Sequence, residues 1–437
     1  MNELSKIFPS NASVSAEGQL LIDGVGVESL ASEFGTPLYI FSEQDFRDRC
    51  REYNRVFKAD FSSDLKVLFA GKAWLNLSIL KIIAEEGIGL DVVSEGELGI
   101  ASAAGFPLDR IYMHGNNKSD RELELAVEKG IGRIVVDNQS DISRLEAIAS
   151  EKKDRPAILV RINPGIDPHT HAKISTGNID SKFGMGLEEA RDVIDHIIKS
   201  DVLDLKGFHY HIGSQIFEIQ PFLDALTTAL AFISDLMTDL DYATRELDIG
   251  GGYAIPYLSE QNPPGIGEYA KAISDHFDSE CQRLKLQKPC VTIEPGRSLI
   301  ASSTVALYTV GVIKRISGIR DYVCVDGGMA DNIRPTLYGA QYEPSLANRM
   351  NDSNVGKYTV AGRYCESGDI LATDVSLPEP KTGDLLVMPG AGAYCLPMAS
   401  NYNASFRPAV VKVHQGKATL IRRRETMEDL IRYDIRP

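Results

Sequence analysis

The stretch "LKVLFAGKAWLNLSILKIIAEEGIGLDVVSEG", Leu65 to Gly96, sets an apolar run, a glycine-flanked lysine, a helix-periodic segment and a second apolar run in succession. In "LSILKIIAEE" the apolar residues recur at three and four, as one buried face of a helix requires. The flanking runs "LKVLFAGK" and "GLDVVSEG" are nearly continuously apolar, the pattern of strands covered on both faces in a parallel sheet. The unit then repeats. Further apolar runs follow as "RIYMHGNN", "RIVVDN", "AILVRINP", "LKGFHYHIGS", "ELDIGGGY" and "CVTIEPGR", with helix-periodic segments such as "DRELELAVEKG", "DISRLEAIASEKK" and "LEEARDVIDHIIKS" between them. Eight such runs predict a closed, TIM-like (β/α)8 barrel over residues 38–298. A doubly wound open sheet ranks lower, because no G-x-G-x-x-G follows the first strand.

A barrel of this kind carries its chemistry at the carboxyl ends of the strands. Those ends hold Lys72, Asp91 with Ser94, His114 with Asn116, Asp137, Arg161 with Asn163, His211 with Ser214, Gly250 to Gly252, and Glu294 with Arg297. After Arg297 the pattern changes to strands separated by turns, as in "TVALYTVGVIKRI", "DYVCVDGG", "KYTVAGRYC", "DILATDVSL" and "DLLVMPGAGAY". Residues 299–437 therefore predict a mainly antiparallel β domain, made discontinuous by residues 1–37. The strand-like "QLLIDGVGV" and "TPLYIFS" are the segments that would pair with it.

The 437 residues carry a net charge of −15, which disfavours nucleic acid or an anionic membrane as the main partner. The first residues, "MNELSKIFPSNASVSAEG", contain no apolar core of a signal peptide, and no run of eighteen apolar residues follows, so a cytoplasmic enzyme is expected. Six cysteines are scattered without a C-x-x-C pair, a pattern of reduced thiols rather than of a zinc site or disulfide framework.

Lys72 has two readings: an ammonium that snorkels to solvent, or a Schiff-base lysine. "HYHIGSQ" and "DPHTH" each give an H-x-H, so a metal-dependent hydrolase using His169, His171, His209 and His211 is one candidate. That reading leaves Lys72, Glu294, Arg297 and the glycines of "DIGGGY" without work. A pyridoxal phosphate reading employs them all, since the cofactor needs a lysine, donors for its phosphate, a group at the pyridine nitrogen and a planar group against the ring. Lys72, Gly251 and Gly252 with Ser214, Glu294, and His211 fill those places in turn, with no metal.

"FAGKA", "HYHIGSQ", "DIGGGY", "EPGR", "DGGMADNIRPTLYGAQY", "CESGD" and "GAYCLPMASNYN" together resemble the diaminopimelate decarboxylase family, pyridoxal phosphate enzymes of the alanine racemase barrel type (fold type III). The resemblance runs in order from "TPLYIFS" to "LIRRRETMEDLI". It implies that Lys72 carries the cofactor, His211 stacks on it and Glu294 partners its ring nitrogen. It also implies a phosphate site of Ser214, Gly251, Gly252, Gly296 and Arg297 with help from Tyr394, and a substrate site of Arg297, Arg334, Tyr338, Glu366 and Tyr394. Cys365 matches the family's proposed proton donor, delivered across a homodimer interface, with Lys72 the other candidate. The reaction implied is decarboxylation of meso-2,6-diaminopimelate to L-lysine; decarboxylases of carboxynorspermidine, ornithine or arginine share the scaffold. The chain departs from the family's commonest wording at Gly71, Trp74 and Cys395, which touches packing and removes no reactive group.

Overall fold

The computed structural model describes residues 4, 6–166 and 181–435. The chain divides into two compact units, one of Arg49–Ala254 and Pro263–Gly296, the other of Met1–Asp48, Ile255–Asn262 and Arg297–Pro437.

In the first unit, Leu65–Ala70, Gly89–Val92, Ile111–Met113, Arg133–Val136, Ala157–Arg161, Asp204–His209, Glu246–Asp248 and Cys290–Ile293 form a closed barrel in chain order, every pair parallel. The last strand closes on the first, with Val291 opposite Leu65 and Ile293 opposite Val67. The barrel expected from the apolar runs is present. Polar residues just past the strands start the helices: Asn76, Ser94, Ser119 and Asn138 each accept a hydrogen bond from a backbone N–H three residues on, at 2.9–3.2 Å. At Ser119 the bond is reciprocal, with Glu122 reaching back to the cap's own N–H. These caps fix where each strand ends and its helix begins, and so where the residues between them lie. Leu68, Tyr112, Val135 and Leu159 form a fully buried cluster contributed by four strands.

The second unit is built on Thr304–Ile316, which pairs antiparallel with Leu38–Ser42, Leu385–Met388 and Arg320–Val325. Two parallel pairings, Leu38–Ser42 with Ala409–His414 and Arg320–Val325 with Gly356–Ala361, interrupt an otherwise antiparallel sheet. Leu38, Ile40, Val305, Leu307, Val387, Val411 and Val413 lie in its core. One boundary differs from the sequence reading. The span assigned to the barrel opens at residue 38, whereas Leu38–Ser42, as expected of "TPLYIFS", pairs within this sheet, between two of its strands and with all five residues buried. A central strand covered on both faces is continuously apolar whichever sheet it joins, so pattern alone does not distinguish the two. Among the described residues, no helix is long and apolar enough to cross a membrane.

Candidate active site

Lys72, Asp91, His114, Arg161, His209, His211 and Glu294 line one cavity of about 620 Å³ in the barrel unit. Each lies at or just past the carboxyl end of a barrel strand. Lys72 stands in a short 3-10 turn, Gly71–Ala73, directly after the first strand.

Glu294 is the electrostatic centre. It is buried, with His114 Nε2 at 2.9 Å and His209 Nε2 at 3.3 Å, and the two imidazoles meet edge to face at 4.8 Å. Burial alone would raise the Glu294 carboxyl; the two histidines outweigh it and hold the group well below the usual range, so it is ionised. His114 is the cationic member: against burial, Asp91 at 3.8 Å and Glu294 raise its pKa. Burial pushes His209 down to about 3, leaving it neutral. His211 is likewise held well below the ordinary imidazole range by desolvation and by the Lys72 ammonium, and its Nδ1 accepts the Gly251 N–H at 3.2 Å. A neutral planar ring, a primary amine and an ionised carboxylate thus face the same space.

The glycine corner has a steric reason of its own. A Cβ on Gly251 would lie 2.2 Å from the Glu294 carbonyl oxygen, and one on Gly252, at φ +119°, would lie 2.8 Å from the Gly213 oxygen. The seventh and eighth strand ends therefore pack backbone on backbone. Gly71 answers to the same constraint: a Cβ there would meet the Asp91 carbonyl oxygen at 2.6 Å, so the neighbouring strand, not room for a ligand, dictates glycine. Gly296 sits against Ala70 and Ala73, while Ser214 is exposed.

In the second unit, Arg297, Arg334 and Tyr394 come together. Arg297 lies 4.8 Å over the Tyr394 ring and donates to the Tyr257 hydroxyl at 2.8 Å. Arg334 is buried, and among the described residues no carboxylate pairs with it; it donates to the Tyr342 hydroxyl instead. Tyr338, four residues on in the helix Arg334–Tyr338, is 63% exposed, so the two do not share a setting. Cys365 and Glu366 are exposed, with the Cys365 N–H bonded to Asn403 and the Glu366 carboxylate to the Tyr402 hydroxyl. Tyr257 and Tyr342 escaped the sequence reading, since nothing local marks a tyrosine as the neighbour of a distant arginine. His114, Asp91 and Arg161 were recognisable only as polar strand ends.

Residues 43–301 match the family model described as "Pyridoxal-dependent decarboxylase, pyridoxal binding domain". The chain is 43% identical over 422 residues to the diaminopimelate decarboxylase of Bacillus subtilis, covering 96% of this chain and 95% of that one. It is 41% identical to the diaminopimelate decarboxylase of Mycobacterium tuberculosis, covering 100% of each. The chain belongs to the diaminopimelate decarboxylase family. The crystal structure of the family member from M. jannaschii in co-complex with L-lysine superposes with a TM-score of 0.92 at 33% identity, covering 98% of each chain.

Family membership makes pyridoxal phosphate the cofactor, and the cavity fits it. Besides the amine, ring and carboxylate, it keeps buried polar atoms that have no hydrogen-bond partner among the described residues, His209 Nδ1 and Asp91 Oδ1 among them. The four-histidine hydrolase is set aside. His169 and His171 lie outside the described residues, and His209 and His211 have different partners, Glu294 and the Gly251 amide.

Proposed function

We propose that this chain decarboxylates meso-2,6-diaminopimelate to L-lysine and CO2. The observation that carries the reading is the match to diaminopimelate decarboxylases over the whole chain, with Lys72, His211 and Glu294 on one cavity. Bound pyridoxal phosphate supplies an electron sink while its ring nitrogen stays protonated.

The chain's own groups do the rest. Lys72 offers the nucleophilic amine that holds the cofactor and yields it to the substrate's amine. Glu294, kept ionised by His114 and His209, holds a proton at the ring nitrogen; His211 supports the ring face. Ser214, Gly251, Gly252, Gly296 and Arg297, with Tyr394, hold the phosphate. In the reaction the bond from the D-configured carbon to its carboxylate breaks, CO2 leaves, and the electron pair remains on that carbon. A proton from Cys365 or Lys72 then forms the new C–H bond.

Arg297, Arg334, Tyr338, Glu366 and Tyr394 read the far amino-acid head. A buried arginine that no carboxylate of the described residues pairs with suits a substrate that brings one, and it disfavours ornithine, arginine and carboxynorspermidine as substrates. The β unit, Met1–Asp48, Ile255–Asn262 and Arg297–Pro437, supplies these residues and the dimer contacts of a cytoplasmic homodimer with shared sites. The exposure of Cys365 and Glu366 supports that sharing.

Purified protein with pyridoxal phosphate is expected to release one CO2 and one L-lysine per meso-diaminopimelate, and none at comparable rate from ornithine, arginine or carboxynorspermidine. Release from one of those and not from meso-diaminopimelate would refute the assignment. For the shared site, mixing Lys72→Ala with Cys365→Ala protein restores activity in hybrid dimers; no recovery after proven subunit exchange would overturn it.

A further inference from the structure

Tyr257 lies in Ile255–Asn262, a short excursion that groups with the β unit although the chain on either side, to Ala254 and from Pro263, belongs to the barrel. Nothing in the mechanism above uses it. Its hydroxyl accepts from Arg297 Nη1 at 2.8 Å, and the Arg334 guanidinium lies 4.8 Å over its ring. One buried side chain, 7% exposed, therefore touches both arginines assigned to the substrate's far carboxylate. Tyr342 completes the arrangement. It packs edge to face on Tyr257 at 5.3 Å and 84°, with Arg334 5.5 Å over its ring. The backbone under Tyr257 is tied down as well, because Gln261 Oε1 accepts from the N–H groups of Tyr257 and Leu258 at 2.8 and 3.2 Å.

The chemistry of this arrangement is selective. A guanidinium buried next to a carboxylate would be neutralised and closed to an incoming anion. The Tyr257 and Tyr342 rings stabilise the Arg334 cation, and among the described residues no carboxylate pairs with it, so its positive charge is kept. The planar fork of arginine gains most when it is already oriented, since a two-point carboxylate bond is sensitive to angle.

We propose that Tyr257 is the positioning residue that orients Arg297 and Arg334 as one carboxylate receptor, and that it thereby sets the preference for substrates with a carboxylate at the far end. The proposal rests on the assignment of Arg297 and Arg334 to that carboxylate. Two substitutions separate its two contacts: Tyr257→Phe keeps the ring and loses the hydroxyl, and Tyr257→Leu loses both.

The test uses cofactor-loaded enzyme and two reversible probes, pimelate, which carries carboxylates at both ends, and cadaverine, a diamine of similar length with none. Tyr257→Phe is expected to raise KM for meso-diaminopimelate and weaken pimelate about tenfold, the scale of one hydrogen bond to a charged group. Tyr257→Leu does so about a hundredfold. In both, kcat stays within about twofold and cadaverine binds as in the parent enzyme, an outcome that general loss of structure would not give. Arg334→Gln serves as the reference and abolishes pimelate binding. If Arg334→Gln loses pimelate while both Tyr257 variants keep parental KM and pimelate affinity, the proposal falls and the receptor reading stands. A uniform loss for pimelate and cadaverine in the Tyr257 variants also overturns it. If Arg334→Gln still binds pimelate, the receptor reading and the proposal fall together.

Discussion

Glu246 and Glu294 come from neighbouring strands of one barrel and lie at its opposite ends, Glu246 opening the seventh strand and Glu294 following the eighth. At the amino end Glu246 is saturated: Lys66 reaches Oε1 at 3.0 Å, Arg133 Nε reaches Oε2 at 2.8 Å, and the Tyr112 hydroxyl bonds Lys66 at 3.1 Å. Against burial, Arg133 and Lys66 hold its carboxyl below the usual range. At the carboxyl end Glu294 is also ionised, but its surroundings are left short of partners. His209 Nδ1, Asp91 Oδ1 and Asp248 Oδ2 are buried without a hydrogen bond among the described residues, and burial raises the carboxyls of both aspartates. A network that only stabilises closes on itself; one that must receive a ligand keeps donors and acceptors unspent.

Substitutions that treat the two ends alike are therefore expected to have unlike effects. Lys72→Ala is the largest: turnover falls on the order of a thousandfold or more, with loss of the visible absorbance of the cofactor-loaded protein. Glu294→Gln follows, lowering kcat about a hundredfold while shifting the unfolding midpoint less than Glu246→Gln does, because Asp91 remains beside the His114 cation. The matched change Glu246→Gln does the reverse, leaving kcat unchanged and costing about 2 kcal/mol in urea unfolding, because it strands two cations. Lys66 is partly open to solvent, which keeps that cost below the range for a fully buried pair. Equal effects of the two substitutions on kcat would end the comparison.

Acidity separates the ends further. A carboxyl depressed in the fold contributes stability above its unfolded value, about 4.3, that is lost as pH falls through the folded value, so the gap between parent and Glu246→Gln closes in acid. His114 is raised instead. Its contribution is full below about 6.5 and fades as pH rises through the folded value, so the gap between parent and His114→Gln closes on the alkaline side. Urea midpoints across pH check both. The smallest expected effect is that of Asn76→Ala, about 1 kcal/mol for one helix cap, with unchanged kcat.

Much of this was legible in the sequence, for reasons that differ by region. The barrel follows from apolar runs alternating with helical periodicity, and Lys72, His211 and Glu294 follow from the rule that strand ends carry the chemistry. Leu38–Ser42 pairs with the β sheet as expected of "TPLYIFS", but its continuous burial does not mark where the barrel span begins. Gly71 shows that a glycine beside a reactive lysine can answer to the backbone of the next strand. The role of His114 beside Glu294, and the tyrosines around Arg334, depend on contacts between segments far apart in the chain, which no local pattern encodes.

The direct measurement is reduction of the pyridoxal phosphate-loaded protein with borohydride, followed by peptide mass mapping. Beside Lys72 on the cavity, the barrel unit holds other lysines that could be labelled, among them Lys66, paired with Glu246, and Lys118, buried against Asp141 at 2.9 Å. The pyridoxyl mass is expected on Lys72 alone. Stoichiometric label on Lys66, Lys118 or any other lysine, with Lys72 unmodified, would contradict the account.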